Sequence, residues 1–462
     1  MWQVLPLQPT SFGDSPYQSC SSGALNPYFI DFDLLCEDGL LEREDYCGLD
    51  WGSDPRRVDY GKQYALRTKV LRKAFSRFDR STPAFASFLK EGKYRDYGRF
   101  MALKETFGGA SFEAWGEYAR YDEDKVASFE AQNRAEVEFW QFTQYLFLIQ
   151  WRALKQYANS RGVEIMGDIP FYVARDSVET WKYGKSLFLL NERGLPSEQA
   201  GVPPDAFSDT GQLWGNPVYD WQKMKADGYS WWHRRIRDAL DLYDILRIDH
   251  FIGFVRYYSV PEGKTDARVG EWRKGPGAEL FQGFEGERIV AEDLGLLTDE
   301  VRAEIDKTGY PGMRILQHAF DGRPLNEHKP SNYSQNCVAY TGTHDNLTLL
   351  TRVQEVPEDQ RTTFLIDLVQ ECRKAKVDLR VDTDRAICQS ILRLLYASKA
   401  DTIIFPLQDA LVMGAEARIN AAGVVTNANW SFRFLKSDFS APIRQFLKEL
   451  AVESGRARDE SV

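Results

Sequence analysis

Five acids, Asp168, Asp249, Glu292, Asp345 and Asp409, each stand at or near the end of a short apolar run. One acid in such a place reads as a helix cap; five in one chain ask for a shared purpose. The run "LRIDHFIGF" (Leu246–Phe254) is the densest, with Arg247, Asp249 and His250 inside an otherwise buried-looking segment. A buried charge without a partner costs several kcal/mol, so these groups need partners or a use. Arg247 and Asp249 are two apart and share one face of a strand, whereas His250 faces away unless the strand ends and turns there. Converging Asp and Glu, with no metal-ligand spacing of His or Cys and no phosphate loop, suggest chemistry on a glycosidic bond. That reaction needs one carboxylate to attack the anomeric carbon and one carboxylic acid to protonate the leaving oxygen. An arginine beside the attacking group holds it as the anion.

The elements that must position these acids recur along the chain. Apolar runs lie at Trp2–Leu7, Val163–Val173, Ile245–Phe251, Arg288–Gly295, Gly312–Gln317, Cys337–Asp345 and Thr402–Asp409, separated by helical patterns. Continuous apolar runs alternating with helices predict parallel strands covered on both faces. In "FWQFTQYLFLIQWRALKQYANSRG" a stripe of Phe139, Phe142, Leu146 and Ile149 predicts a helix that Gly162 ends. The fold expected is α/β, a (β/α)8 TIM-type barrel with helical insertions, whose active site gathers at the carboxyl ends of the strands. Residues 1–462 are read as one catalytic barrel, 25–130 as an inserted helical subdomain, and 174–240 as an inserted segment. Within the last, the Gly/Pro-rich loop 201–217 is a candidate substrate lid, with Phe207 and Trp214 as stacking rings.

Composition excludes several classes. A formal net charge of −10 opposes nucleic-acid binding, which draws its affinity from cations on phosphate. The basic run "HRRIRD" (His233–Asp238) is read as a solvated helix face. Six cysteines without CxxC spacing read as free thiols in a reducing compartment. Neither an export signal nor a membrane span is found, so a cytoplasmic protein is expected. No cofactor and no metal are called for. Aromatic residues make up 13 % of the chain, which hints at ring faces for stacking sugars.

The motifs "LRIDHFIGF", "VAEDLG" and "YTGTHDN", in this order, resemble the catalytic strands of the amylomaltases, or 4-α-glucanotransferases. "WQVLPLQPTSFGDSPYQS", "GDIPFYVARDS", "GVPPDAFSDTGQLWGNPVYDW" and "NWSFR" are similar to the same family, so the resemblance runs from Trp2 to about Leu450. It implies transfer of α-1,4-glucan segments from a donor to glucose or a malto-oligosaccharide by a retaining double displacement. Starch- or glycogen-type α-glucan would be a partner as well.

Carried over by position, the resemblance makes Asp249 the nucleophile, Glu292 the general acid and then base, and Asp345 an acid that grips the reacting ring. Arg247 would hold Asp249 as the anion; His250 and His344 would donate to sugar oxygens. Tyr17, Asp168, Gln212, Trp214 and Asn420 match substrate-contact positions. The family has a further strand and helix before its counterpart of "WQVLPL", so the first barrel unit is expected to be missing here. An α-glucan hydrolase of the amylase group and a catalytically silent glucan-binding protein stand as alternatives.

Overall fold

The computed structural model describes residues 1–204, 208–295 and 297–457. Its strands, in chain order, are β1 (Trp2–Gln3), β2 (Ile165–Ile169), β3 (Glu198–Val202), β4 (Gln212–Pro217), β5 (Ile245–Ile248), β6 (Arg256–Pro261), β7 (Glu271–Lys274), β8 (Ile289–Ala291), β9 (Gly312–Ile315), β10 (Cys337–Tyr340) and β11 (Thr402–Ile404). Seven of them form one sheet in the order β1-β2-β5-β8-β9-β10-β11. All its recorded pairings are parallel. These are the seven apolar runs of the sequence, and the α/β architecture is the expected one. Sequential strands become neighbours because each intervening segment carries at least one crossover helix or a longer insertion.

The remaining four strands make an antiparallel sheet, β4-β3-β6-β7, that the sequence did not announce. The reason is compositional. β3 reads "EQAGV" and β4 "QLWGNP", glycine-bearing and without an alternating apolar face. The segment 201–217 runs from the end of β3 through β4, while Asp205, Ala206 and Phe207 lie outside the described residues.

By contact density the chain forms two compact units. The first comprises residues 1–51, 59–289 and 297–309; the second comprises 52–58, 290–295 and 310–457. The first unit holds β1 to β7 and the helices Phe32–Glu37, Tyr60–Arg77, Pro83–Glu91, Arg95–Thr106, Glu123–Gln132 and Arg134–Ser160. Its core is aromatic. Phe171, Tyr219, Trp232 and Phe254 meet edge-on or tilted at centroid distances of 4.7–5.9 Å, so much of the aromatic content is core rather than sugar platform. The second unit is built on an aliphatic cluster around Leu316, Leu368, Leu392 and Leu395, with helices Glu358–Ala375 and Asp384–Tyr396 as its main walls.

Two expectations about helices need correction. The helix Arg134–Ser160 exists and Gly162 follows it at φ +69°, but Ile149 is 45 % exposed. At 3.6 residues per turn the stripe drifts, and Phe147 and Trp151 carry it onward instead. The run "HRRIRD" is helical, within Ser230–Leu242, yet Arg235 is buried rather than solvated.

Candidate active site

The first unit carries a chain of charges at the end of two adjacent strands. β2 and β5 pair in parallel with Asp168 opposite Arg247. Arg247 donates to Asp168 Oδ2 at 2.6 Å and to Asp249 Oδ1 at 3.0 Å. The Tyr17 hydroxyl donates to the same Asp168 Oδ2 at 2.7 Å. Asp168 and Arg247 are buried, whereas the Asp249 side chain keeps 27 % of its surface open. One guanidinium thus bridges a buried acid and an accessible one, and its planar fork holds both directions fixed. Burial and the adjacent Asp168 push the Tyr17 phenol well above its usual range, so it remains a donor.

His250 resolves the question of its direction. β5 stops at Ile248, and His250 takes a left-handed backbone, φ +48° and ψ +47°, before the short turn Phe251–Phe254. A non-glycine residue in that region is strained and needs surroundings that fix it. They are present: the ring sits 5.2 Å from Trp214 edge-on, and also meets Phe171 and Tyr172. Burial drives its pKa below 6.5, with Asp249 pulling the other way. Trp214 in turn donates to Gln212 Oε1 at 3.2 Å, and its carbonyl accepts from Gln18.

The second unit holds the remaining residues. Glu292 immediately follows β8, is buried, and accepts the Leu294 N–H on Oε1 at 2.7 Å. Asp345 lies on the loop after β10, with nearly half its side chain exposed. Asn420 donates to Asp345 Oδ1 at 2.6 Å, and His344 Nε2 lies 3.5 Å from Oδ2. The His344 ring packs against Trp430, itself in the left-handed region at φ +62°.

Ten of the eleven residues singled out in the sequence are joined by hydrogen bonds or ring contacts into two constellations, and Glu292 lies in the second unit. Tyr17, Asp168, Gln212, Trp214, Arg247, Asp249 and His250 belong to the first unit; Glu292, His344, Asp345 and Asn420 belong to the second. Asp409 is in neither. It lies in the helix Leu407–Ala410, accepts the Leu349 N–H at 2.7 Å and the Thr341 hydroxyl at 2.6 Å, and so ties the loop after β10 to the start of the helix Leu349–Gln354. Burial raises its pKa to about 6.

Sequence reasoning passed over Asp293 and Arg314. Asp293 is buried beside Glu292, accepts the Met313 N–H at 2.6 Å and pairs with Arg314 at 3.0 Å. Burial pushes its pKa up, opposed by Arg314. A Cβ at Gly312 would stand 2.3 Å from Asp293 Oδ2, so only glycine leaves room for this carboxylate. The signal was an acid doublet in "VAEDLG" with an arginine in the following strand "GMRIL". Among the described residues no group of three or more His, Cys, Asp or Glu is arranged to hold a metal ion.

Comparison with known proteins gives this geometry its context. The family profile described as 4-alpha-glucanotransferase matches residues 1–437. A 4-alpha-glucanotransferase of Clostridium butyricum is 41 % identical across 98 % of this chain and 93 % of its own length. One from Thermus thermophilus is also 41 % identical, over 98 % and 91 %. The solved amylomaltase from Streptococcus agalactiae in complex with acarbose superposes with a TM-score of 0.92 at 37 % identity, covering 99 % of this chain and 92 % of that one. With matches of this breadth over the segments that carry both acid constellations, the chain belongs to the 4-alpha-glucanotransferase family.

Proposed function

We propose that this chain carries out the family's 4-α-glucanotransferase reaction by a retaining double displacement, with Asp249 as nucleophile, Glu292 as acid and then base, and Asp345 as the residue that grips the reacting glucose. The observation that carries the reading is the fork of Arg247. Buried and tied to Asp168, it donates from Nη2 to Asp249 Oδ1, and of Asp168, Arg247 and Asp249 only Asp249 keeps an open face. A carboxylate so held is fixed in direction for attack.

In the first step Asp249 attacks the anomeric carbon while Glu292 gives its proton to the leaving glycosidic oxygen, and the shortened glucan departs. In the second, Glu292 takes the proton of an incoming sugar hydroxyl, which displaces Asp249. Asp345, oriented by Asn420, binds ring hydroxyls more strongly as positive charge develops. Transfer wins over hydrolysis when sugar, rather than water, reaches the covalent intermediate first. The ring of Trp214 beside His250 offers an apolar face for that acceptor.

Donors and acceptors would be malto-oligosaccharides, glucose and starch- or glycogen-type α-glucan. Six free cysteines suit a reducing cytoplasm, and among the described residues no helix is long and apolar enough to cross a membrane. Incubation of the purified protein with maltotriose tests the reading. Glucose together with a ladder of longer and shorter oligosaccharides is expected. Shorter products alone would mean a hydrolase, and no products would mean a glucan-binding protein.

A further inference from the structure

Asp345 is aimed by a loop that has little of its own to hold it in place. Residues 416–431 are turns and irregular backbone beyond the short helical turn Ala415–Ala417, and Val424 and Val425 near the tip are 54 % and 67 % exposed. A loop with so few buried apolar contacts sits at the low-stability end of a structure unless polar bonds fix it. This is the loop that carries Asn420. Besides the side-chain bond to Asp345 Oδ1, the Asn420 N–H donates to the His344 carbonyl at 3.1 Å. Arg418 bridges the carbonyls of Asn420 and Asp345, donating at 2.8 and 3.0 Å. These bonds tie Asn420 and Asp345 to each other, and a pair tied only to itself can still shift as one.

The two ends of the loop meet on one side chain from a distant part of the sequence. Arg57 donates from Nη2 to the Glu416 carbonyl at 2.6 Å, and from Nη1 to the Ala428 carbonyl and the Ser431 hydroxyl at 3.3 and 3.1 Å. All three acceptors are neutral loop atoms, so these bonds fix backbone geometry, and the planar fork fixes it in two directions at once. The fork is itself seated. Arg57 pairs antiparallel with Phe432, the Val58 N–H donates to the Ser431 carbonyl at 2.7 Å, and the Arg433 N–H donates to the Arg56 carbonyl at 2.8 Å. Arg56 makes a two-pronged pair with Asp438 at 2.9 and 2.8 Å. Inside the loop, the buried Asn429 side chain accepts the Ala421 N–H and donates to the Val424 carbonyl. Closed at its base and plugged in its middle, the loop presents Asn420 from a fixed limb.

We propose that Arg57 is a positioning residue for the transfer reaction. By joining Glu416 to Ala428 and Ser431 it closes the base of the loop, holds Asn420 in place, and through Asn420 sets the Asp345 carboxylate for the reacting ring. The inference rests on reading Asp345 as the acid that grips that ring. A remote clamp matters there because the grip must tighten as charge develops, and a misplacement of about 1 Å can cost about 100-fold in rate. The segment 52–58, read from the sequence as part of an inserted subdomain, counts with the second unit and has this use in it.

The test is a double-mutant cycle on the full chain, with kcat and KM for maltotriose as readouts. Arg57→Ala should lower kcat about fivefold and change KM by less than about twofold, because the clamp serves a grip that tightens in the transition state. In the Asn420→Ala background the same substitution should lower kcat by less than about 1.5-fold, since the path to Asp345 is already cut; a merely structural role would multiply the two losses. Arg57→Lys should lose nearly as much as Arg57→Ala, because a compact ammonium reaches one end of the loop and not both. It carries the cycle if the alanine variant does not fold. With Asp345→Asn inactive, the proposal is overturned by Arg57→Ala within about twofold of wild type, by wild-type activity in Arg57→Lys, or by losses that multiply with Asn420→Ala. Asp345→Asn within about tenfold of wild type would overturn the grip itself and this proposal with it.

Discussion

The two constellations differ in how their acids are held. In the first unit Asp249 is positioned by a guanidinium that is itself locked by a buried acid and a buried strand register. In the second, Asp345 is half exposed on a loop and is oriented by an amide, Asn420, from another loop. One acid is fixed by charge from below, the other by a neutral hydrogen bond at the surface. The difference matches what each is asked to do in the proposed reaction. A nucleophile must be ionised and aimed before the sugar arrives, whereas a hydroxyl-gripping acid can complete its alignment on the ligand.

The largest effect should come from the accessible end of the charged chain. Asp249→Asn is expected to lower transfer from maltotriose by about 10⁴-fold or more, since a nucleophile removed from a set that acts as a unit loses nearly the whole rate. Its melting temperature should stay near that of wild type, because Asp168 still partners Arg247. Activity retained within tenfold would remove Asp249 from the role given to it.

Arg247→Met strikes the buried end. It leaves Asp168 in the interior with Tyr17 but without its cation, and breaking a buried pair from one side typically costs about 3–5 kcal/mol. Urea unfolding should show a loss of that size, along with loss of transfer. A change below about 1 kcal/mol would mean that the fork is not the keystone of the first constellation. Asn420→Ala is the corresponding cut in the second. There the partner acid is exposed, so stability should fall by no more than about 1 kcal/mol, while kcat on maltotriose drops roughly tenfold. If Asn420→Ala destabilised the protein as much as Arg247→Met, the contrast between the two regions would fail.

How much of this was legible beforehand follows the same division. All seven parallel strands could be located because each is a continuous apolar run, and Arg247 and Asp249 could be placed on one face from their spacing alone. The antiparallel sheet stayed hidden because β3 and β4 carry glycine and polar residues where a pattern would need alternating apolar ones. Asp293 was overlooked since its partner, Arg314, stands one strand further on and only β8–β9 pairing makes them meet. The buried Arg235 was misread for a related reason. Charge composition shows how many cations a helix has, not which of them a neighbouring helix covers.

The smallest effect in the unmodified protein is a pH dependence that nearly cancels, and it belongs to the second unit. His328 is held neutral down to about pH 4, first by burial and then by His318 and nearby arginines, and its Nδ1 accepts the Ile315 N–H at 3.1 Å. Unfolded, the same ring takes a proton near pH 6.5. Below that pH the unfolded chain binds the proton and the native chain does not, so this histidine removes stability as pH falls from about 6.5 to 4. Asp409 works in the other direction. Its native pKa of about 6 lies above the unfolded value of 3.8, so the native chain binds the proton first, and the stability it adds at low pH is lost as pH rises through 6. Each contribution is on the order of 3 kcal/mol, from the 1.36 kcal/mol that one pKa unit represents. Between pH 4 and 6 they oppose each other. Urea midpoints of His328→Gln measured at pH 6.5 and 4.5 should therefore rise on acidification relative to wild type, and those of Asp409→Asn should fall. Parallel pH profiles for both variants and wild type would show that neither group titrates out of step with its unfolded state.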